Sequence, residues 1–305
     1  MSMDVLIDKI IEKKNPSVIG LDPRPEYIPP HIMKKHISEK GETLEAAADA
    51  YFEFNRGLID AIWEVVPAVK PQAAFYELLG PPGVEAFRRT AAYAKSKGLY
   101  VIGDIKRNDI GSTAQAYSEA YLGAVKIGDT LHKAFDCDSV TVSGYLGSDG
   151  IKPFLDVCKR EKKTLFTLVK TSNKSSGELQ DLVTGKGRVY ELMGKMLEDL
   201  SKDTMGKYGY SICGAVVGAT FPNELVRLRG LLKNTFFLVP GYGAQGGSAA
   251  DVAGAFDNRG LGAVVNSSRG VICAWMKTGY NGEDYMEAAA REALKMKDDI
   301  TKYCI

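Results

Sequence analysis

YVIGDIKRNDIGST (residues 100–113) opens as a near-continuous apolar run, turns to alternating charges, and continues into a polar segment. A run apolar on both parities is a strand buried on both faces, as in a parallel sheet, and not the half-exposed strand of a hairpin. Seven further runs follow the same plan: SVIGLDP (17–23), AVKPQAAF (68–75), SVTVS (139–143), TLFTLVKTS (164–172), CGAVVGAT (213–220), FFLVPGYG (236–243) and GAVVNSSRG (262–270). Helix-like segments lie between them, such as 83–98, 189–209 and 223–234. Eight strands alternating with at least as many helices in 305 residues predict an α/β fold, a (β/α)₈ TIM barrel. Periodicity alone would also permit a doubly wound open sheet. The even repeat and the lack of a composition change favour one barrel domain spanning 1–305. Its first βα link is too long to be simple: PRPEYIPP turns at the surface, and 43–66 reads as a helical insertion packing through Ala50, Phe54, Leu58 and Ile62. Residues 1–15 read as an amphipathic docked helix rather than a signal peptide.

Composition narrows the function. The chain is 45% hydrophobic and 25% charged, with 39 basic and 38 acidic residues. Without a basic stripe or a long apolar stretch, neither nucleic acid nor a membrane is expected as a partner. Five dispersed cysteines without CxxC spacing predict free thiols in a cytoplasmic location and argue against a zinc site. The three histidines, His31, His36 and His132, fall in predicted loop or helix and are expected at the surface, leaving little for His-based chemistry.

In a barrel of this kind chemistry sits at the C-terminal strand ends. Read in order, those ends give Asp22, Lys70, Asp104, Lys106, Asp109, Ser172, Gln245 and Arg269. The two-residue spacing of Asp104 and Lys106 puts both on one strand face, and Lys70 from the adjacent strand can complete a neutral charge network. Such a network could simply close the barrel. The glycine-rich PGYGAQGG and the loop bearing Arg269 match the usual phosphate position after strands seven and eight, with a helix expected from Ser248. GYGAQG (241–246) also satisfies GxGxxG, but it follows the seventh strand and lacks the acidic residue expected at the next strand end, so a nicotinamide site is poorly supported. A turn with no ligand remains open.

DIKRNDIGST (104–113) resembles the signature of the orotidine 5′-phosphate decarboxylases. GLDP, VKPQAAFYE, TSN, VVGAT, VPGYGAQGG and SSRG continue the likeness in order along the barrel, closest to the longer bacterial branch. The resemblance implies cofactor-free and metal-free decarboxylation of orotidine 5′-phosphate to UMP. It places Asp104 beside the substrate carboxylate, Lys106 as proton donor to C6, and Lys70 between ribose and Asp104. Asp22 would bind a ribose hydroxyl, Ser172 the pyrimidine, and Tyr242, Gln245 and Arg269 the phosphate. Asp109 and Thr113 would reach into the partner's site of a homodimer. Three rivals stay open: a metal-dependent sugar-phosphate decarboxylase or synthase on a related barrel, which would tend to carry an acidic ligand where Lys70 stands; a Schiff-base aldolase using Lys106 or Lys170; and a silent phosphate-ligand binder. The polar segment 174–187 is a candidate lid.

Overall fold

The structure is a computed structural model that describes residues 2–243 and 246–304. All eight apolar runs form strands: β1 (Ser17–Leu21), β2 (Ala68–Pro71), β3 (Tyr100–Arg107), β4 (Ser139–Val142), β5 (Thr164–Lys170), β6 (Cys213–Val217), β7 (Phe237–Val239) and β8 (Ala263–Ser267). Each pairs in parallel with its sequence neighbour, and β8 returns to β1 through Ser17 opposite Val265, closing the barrel. The open-sheet alternative is thereby removed.

Side-chain alternation separates two apolar regions. Val18, Ala68, Tyr100, Ile102, Phe166, Val216, Leu238 and Val264 share one buried cluster inside the barrel. Met3, Leu6, Ile7 and Ile10 of the helix Ser2–Lys13 belong to the same cluster, so this amphipathic helix plugs the N-terminal end. The opposite strand face packs outward against the helices, through residues such as Ile19, Val69, Val101 and Val140. One end of the barrel is therefore sealed by apolar side chains, and the polar residues that continue the inward-facing series collect at the other.

The insertion after β1 forms two helices, Pro30–Lys40 and Leu44–Ile62. Thr43 caps the second, its hydroxyl accepting from the Ala46 N–H at 3.2 Å, which satisfies a donor the helix itself cannot. Ala50, Phe54, Leu58 and Ile62 are buried on one face, as their spacing predicts. The C-terminal helix Tyr285–Cys304 closes in so tightly that a Cβ on Gly57 would meet the Tyr285 hydroxyl at 1.7 Å.

Three expectations need correction. The second strand stops at Pro71, and Ala73–Glu77 is helical: Pro71 has no N–H to extend the ladder. His36 is buried rather than superficial, with Nε2 2.8 Å from Glu53 Oε2, because that carboxylate supplies the polar partner burial requires. His132 lies on an exposed hairpin strand, Thr130–His132, that sequence reading did not anticipate.

Candidate active site

At the C-terminal mouth, β1, β2, β3 and β8 bring their last inward-facing residues together. The alternation that buries Tyr100 and Ile102 inside the barrel next delivers Asp104, and the series Ala68, Lys70, Gln72 does the same on β2. Asp104 is buried and accepts four hydrogen bonds: from Lys70 Nζ at 2.6 Å, Lys106 Nζ at 2.5 Å, Thr141 Oγ1 at 2.7 Å and Gln72 Nε2 at 2.9 Å. Burial alone would raise its pKa, but the charges and hydrogen bonds of Lys70 and Lys106 outweigh that and hold the carboxyl well below the usual range. Burial would likewise favour neutral Lys70, yet the charges of Asp104 and Asp22 raise its pKa and keep it an ammonium. The site thus contains a fixed, desolvated carboxylate between two cations.

Lys106 reaches this position by a different route from the regular strand its spacing suggests. The β3–β4 register slips between Gly103 and Arg107, and Lys106 itself has φ +47°. A left-handed residue with a side chain costs roughly 1–2 kcal/mol. Thr141 holds the distortion, its hydroxyl accepting from the Lys106 N–H at 3.0 Å while donating to Asp104. The outcome is asymmetric: the Lys70 side chain is 5% exposed, whereas that of Lys106 is 44% exposed and lines the cavity.

That cavity, about 540 Å³, has apolar walls from Leu168, Val216, Leu238 and Pro240, with polar groups at its rim. Asp22 and Asn266 face it from β1 and β8, and the Oδ1 atom of each is buried without a hydrogen-bond partner among the described residues. Buried acceptors left open in this way are primed for donors such as sugar hydroxyls. Ser172 also lines the cavity, positioned by the close approach of Gly218, where a Cβ would lie 2.8 Å from the Ser172 Cα.

The segment after β5 folds over the rim as a short helix, Gly177–Gln180, and a small hairpin. Gln180 makes a paired contact with Thr171, accepting from its N–H at 2.9 Å and donating to its hydroxyl at 2.8 Å. Lys170 is fully buried, 2.8 Å from Asp181 Oδ1 and 4.3 Å from the Phe221 ring. It serves as an anchor for this segment and does not line the cavity, which weighs against it as a Schiff-base lysine.

A smaller cavity of about 200 Å³ adjoins the first, sharing Asp22, Asn266 and Ser268, and holds Arg269 and Tyr242 on its lining. Gly241 on its lining and Gly243 two residues on need backbone that side chains disfavour, with φ +103° and +73°. Tyr242 lines this cavity, and its hydroxyl donates to Asp299 on the C-terminal helix at 2.8 Å. Gln245 lies outside the described residues. Ser248 does cap a helix, but Ala249–Val252 is only four residues long. Asp109 and Thr113 line neither cavity; the Asp109 carboxylate accepts from the Ile110 N–H at 2.8 Å, and Thr113 is exposed.

The chain matches the orotidine 5′-phosphate decarboxylase / HUMPS family model over residues 30–277. It belongs to that family. The orotidine 5′-phosphate decarboxylase of Rhodopirellula baltica is 41% identical over 95% of this chain and 96% of its own. That of Caldicellulosiruptor bescii is 40% identical over 97% of both. The structure of Leishmania donovani OMP decarboxylase superposes with a TM-score of 0.74 and 28% identity, covering 99% of this chain and 98% of that one. Sequence reading missed Gln72, Thr141 and Asn266, which line the larger cavity, and Arg24, which lines the smaller one. Gln72 and Thr141 carried a readable signal, standing at inward parity on the ends of their strands.

Proposed function

We propose that this chain decarboxylates orotidine 5′-phosphate to UMP without a cofactor, with Lys106 delivering the proton to C6. The carrying observation is the buried Asp104 carboxylate held between Lys70 and the cavity-facing Lys106. Loss of CO₂ leaves the C6–C bonding pair in the ring plane, where the π system cannot delocalise it. Only fixed charge can stabilise it there, and the Lys106 ammonium supplies that charge in a site pre-organised before substrate arrives. The same ammonium then transfers a proton to C6, giving UMP and a neutral amine that solvent reprotonates. Asp104 aims Lys106 through its 2.5 Å contact with the ammonium, and Lys70 together with Thr141 and Gln72 fixes Asp104. Asp22 and Asn266 suit the ribose hydroxyls, Ser172 the pyrimidine edge, and Arg269 the phosphate. Gln245 is carried as a second phosphate contact on the family likeness, and Tyr242 serves that pocket as wall rather than donor.

The metal-dependent sugar-phosphate reading is disfavoured by charge: the Lys70 ammonium lies 2.6 Å from Asp104, where it would repel a divalent cation bound to that carboxylate. Turnover by intact Lys106 separates the enzyme from a silent binder. Half-buried Asp109 and exposed Thr113 lie beside Ile110, itself 55% exposed, consistent with a homodimer in which both serve the partner's cavity. Among the described residues no helix is long and apolar enough to cross a membrane. All five cysteines are buried free thiols, which supports a reducing, cytoplasmic setting. The test is the spectrophotometric loss of orotidine 5′-phosphate with chelator-treated protein. Undiminished turnover supports the reading; activity that appears only on adding a divalent cation overturns it.

A further inference from the structure

The smaller cavity carries a second guanidinium that the family likeness does not assign. Arg24, immediately beyond β1, lines it together with Arg269. Flanked by Pro23 and Pro25, it lies 4.8 Å from the Phe75 ring centroid and 5.4 Å from that of Tyr27. Two aromatic faces thus define where the guanidinium sits and leave its N–H edge for hydrogen bonding. Its acidic neighbour, Glu26, stands 3.7 Å away with both side chains well exposed, a geometry that stabilises little. Among the described residues lining this cavity, Asp22 is the one carboxylate. Two arginines of the described lining stand against one aspartate, and like charges gathered in a recess of about 200 Å³ are favourable when an anion bridges them.

We propose that Arg24 is a further phosphate-binding residue, sharing the 5′-phosphate of the nucleotide with Arg269 in the same cavity. The assignment rests on the nucleotide reading above. A phosphate monoester carries close to two negative charges at neutral pH, so a pair of guanidiniums matches it where one would not. Because the cavity joins the main one through Asp22, Asn266 and Ser268, a nucleotide can place its phosphate here and its ribose beside Asp22. Arg24 also belongs to the start of the helical insertion, so that insertion would contribute directly to substrate binding.

The experiment compares UMP and uridine binding by titration calorimetry for wild type, Arg24→Gln, Arg24→Lys and Glu26→Gln. Losing one charge-assisted contact predicts UMP binding weakened about tenfold to a hundredfold in Arg24→Gln, with uridine unchanged. Arg24→Lys falls between, having lost the planar fork, and Glu26→Gln binds UMP at least as well as wild type. Unchanged uridine binding also reports an intact fold. UMP affinity within twofold of wild type in Arg24→Gln, or an equal loss for UMP and uridine, overturns the assignment. A wild type that binds UMP yet fails to decarboxylate orotidine 5′-phosphate overturns the catalytic reading alone, and the UMP–uridine comparison still decides Arg24. A wild type that binds no UMP overturns both.

Discussion

Replacing Asp104 with asparagine removes one charge from a site that holds two cations and should damage stability and turnover together. The amide can accept from one lysine through its oxygen, but its NH₂ group must then face the other ammonium, donor against donor. Lys70 is 4% exposed, so water replaces the lost carboxylate poorly, and among the described residues Asp22 is the remaining acidic group that raises its pKa. Breaking a buried pair on one side costs about 3–5 kcal/mol, a large share of the roughly 5–15 kcal/mol that holds a typical domain folded. Turnover should fall at least about a thousandfold, equivalent to roughly 4 kcal/mol of transition-state stabilisation. The double variant Lys70→Met with Asp104→Leu separates the two effects. Removing both charges should restore most of the stability while leaving the protein inactive, because apolar replacement of a whole buried pair is often neutral or better. Urea denaturation read beside turnover measures both. An Asp104→Asn protein within about 1 kcal/mol of wild type and within about tenfold of its turnover would refute the network argument.

Other consequences of the geometry can be checked separately. The folded-state pKa of Asp104 lies below its unfolded value, so its contribution is present at neutral pH and is lost as pH falls below about 4. Wild type should therefore lose more stability than Asp104→Asn between about pH 4 and pH 2, which paired urea titrations would show. Lys106→Gly should be more stable than Lys106→Ala by up to about 1 kcal/mol, since relief of the left-handed strain outweighs the added chain entropy of glycine; the reverse order would mean that the φ of +47° carries no strain. Asp181→Ala leaves buried Lys170 without its carboxylate, so limited proteolysis within 174–188 should accelerate; an unchanged cleavage rate would dissociate the pair from the anchoring of that segment.

Much of this was legible in the sequence because burial on both strand faces is written as continuous apolar runs, and eight such runs admit few closed arrangements. The Asp104, Lys106 and Lys70 cluster was legible for the same reason: charges at the ends of buried strands need partners. The route by which Lys106 meets Asp104 was not, because the register slip after Gly103 depends on Thr141 from the neighbouring strand, and pairing across strands leaves no local mark. His36 was misplaced for a related reason, its partner Glu53 being supplied by the next helix. The engagement of the Tyr242 hydroxyl by Asp299, 57 residues further along, was equally out of reach of local pattern. Arg24 was overlooked in a proline-rich turn read as surface, since only the folded chain brings it into one cavity with Arg269.

The most direct test of the central claim is the turnover of orotidine 5′-phosphate by chelator-treated Lys106→Ala beside wild type. Lys106 as electrostatic stabiliser and proton donor predicts metal-independent turnover in wild type and a loss of more than about a thousandfold in the variant, with folding retained by circular dichroism. Near-normal turnover in Lys106→Ala would contradict it.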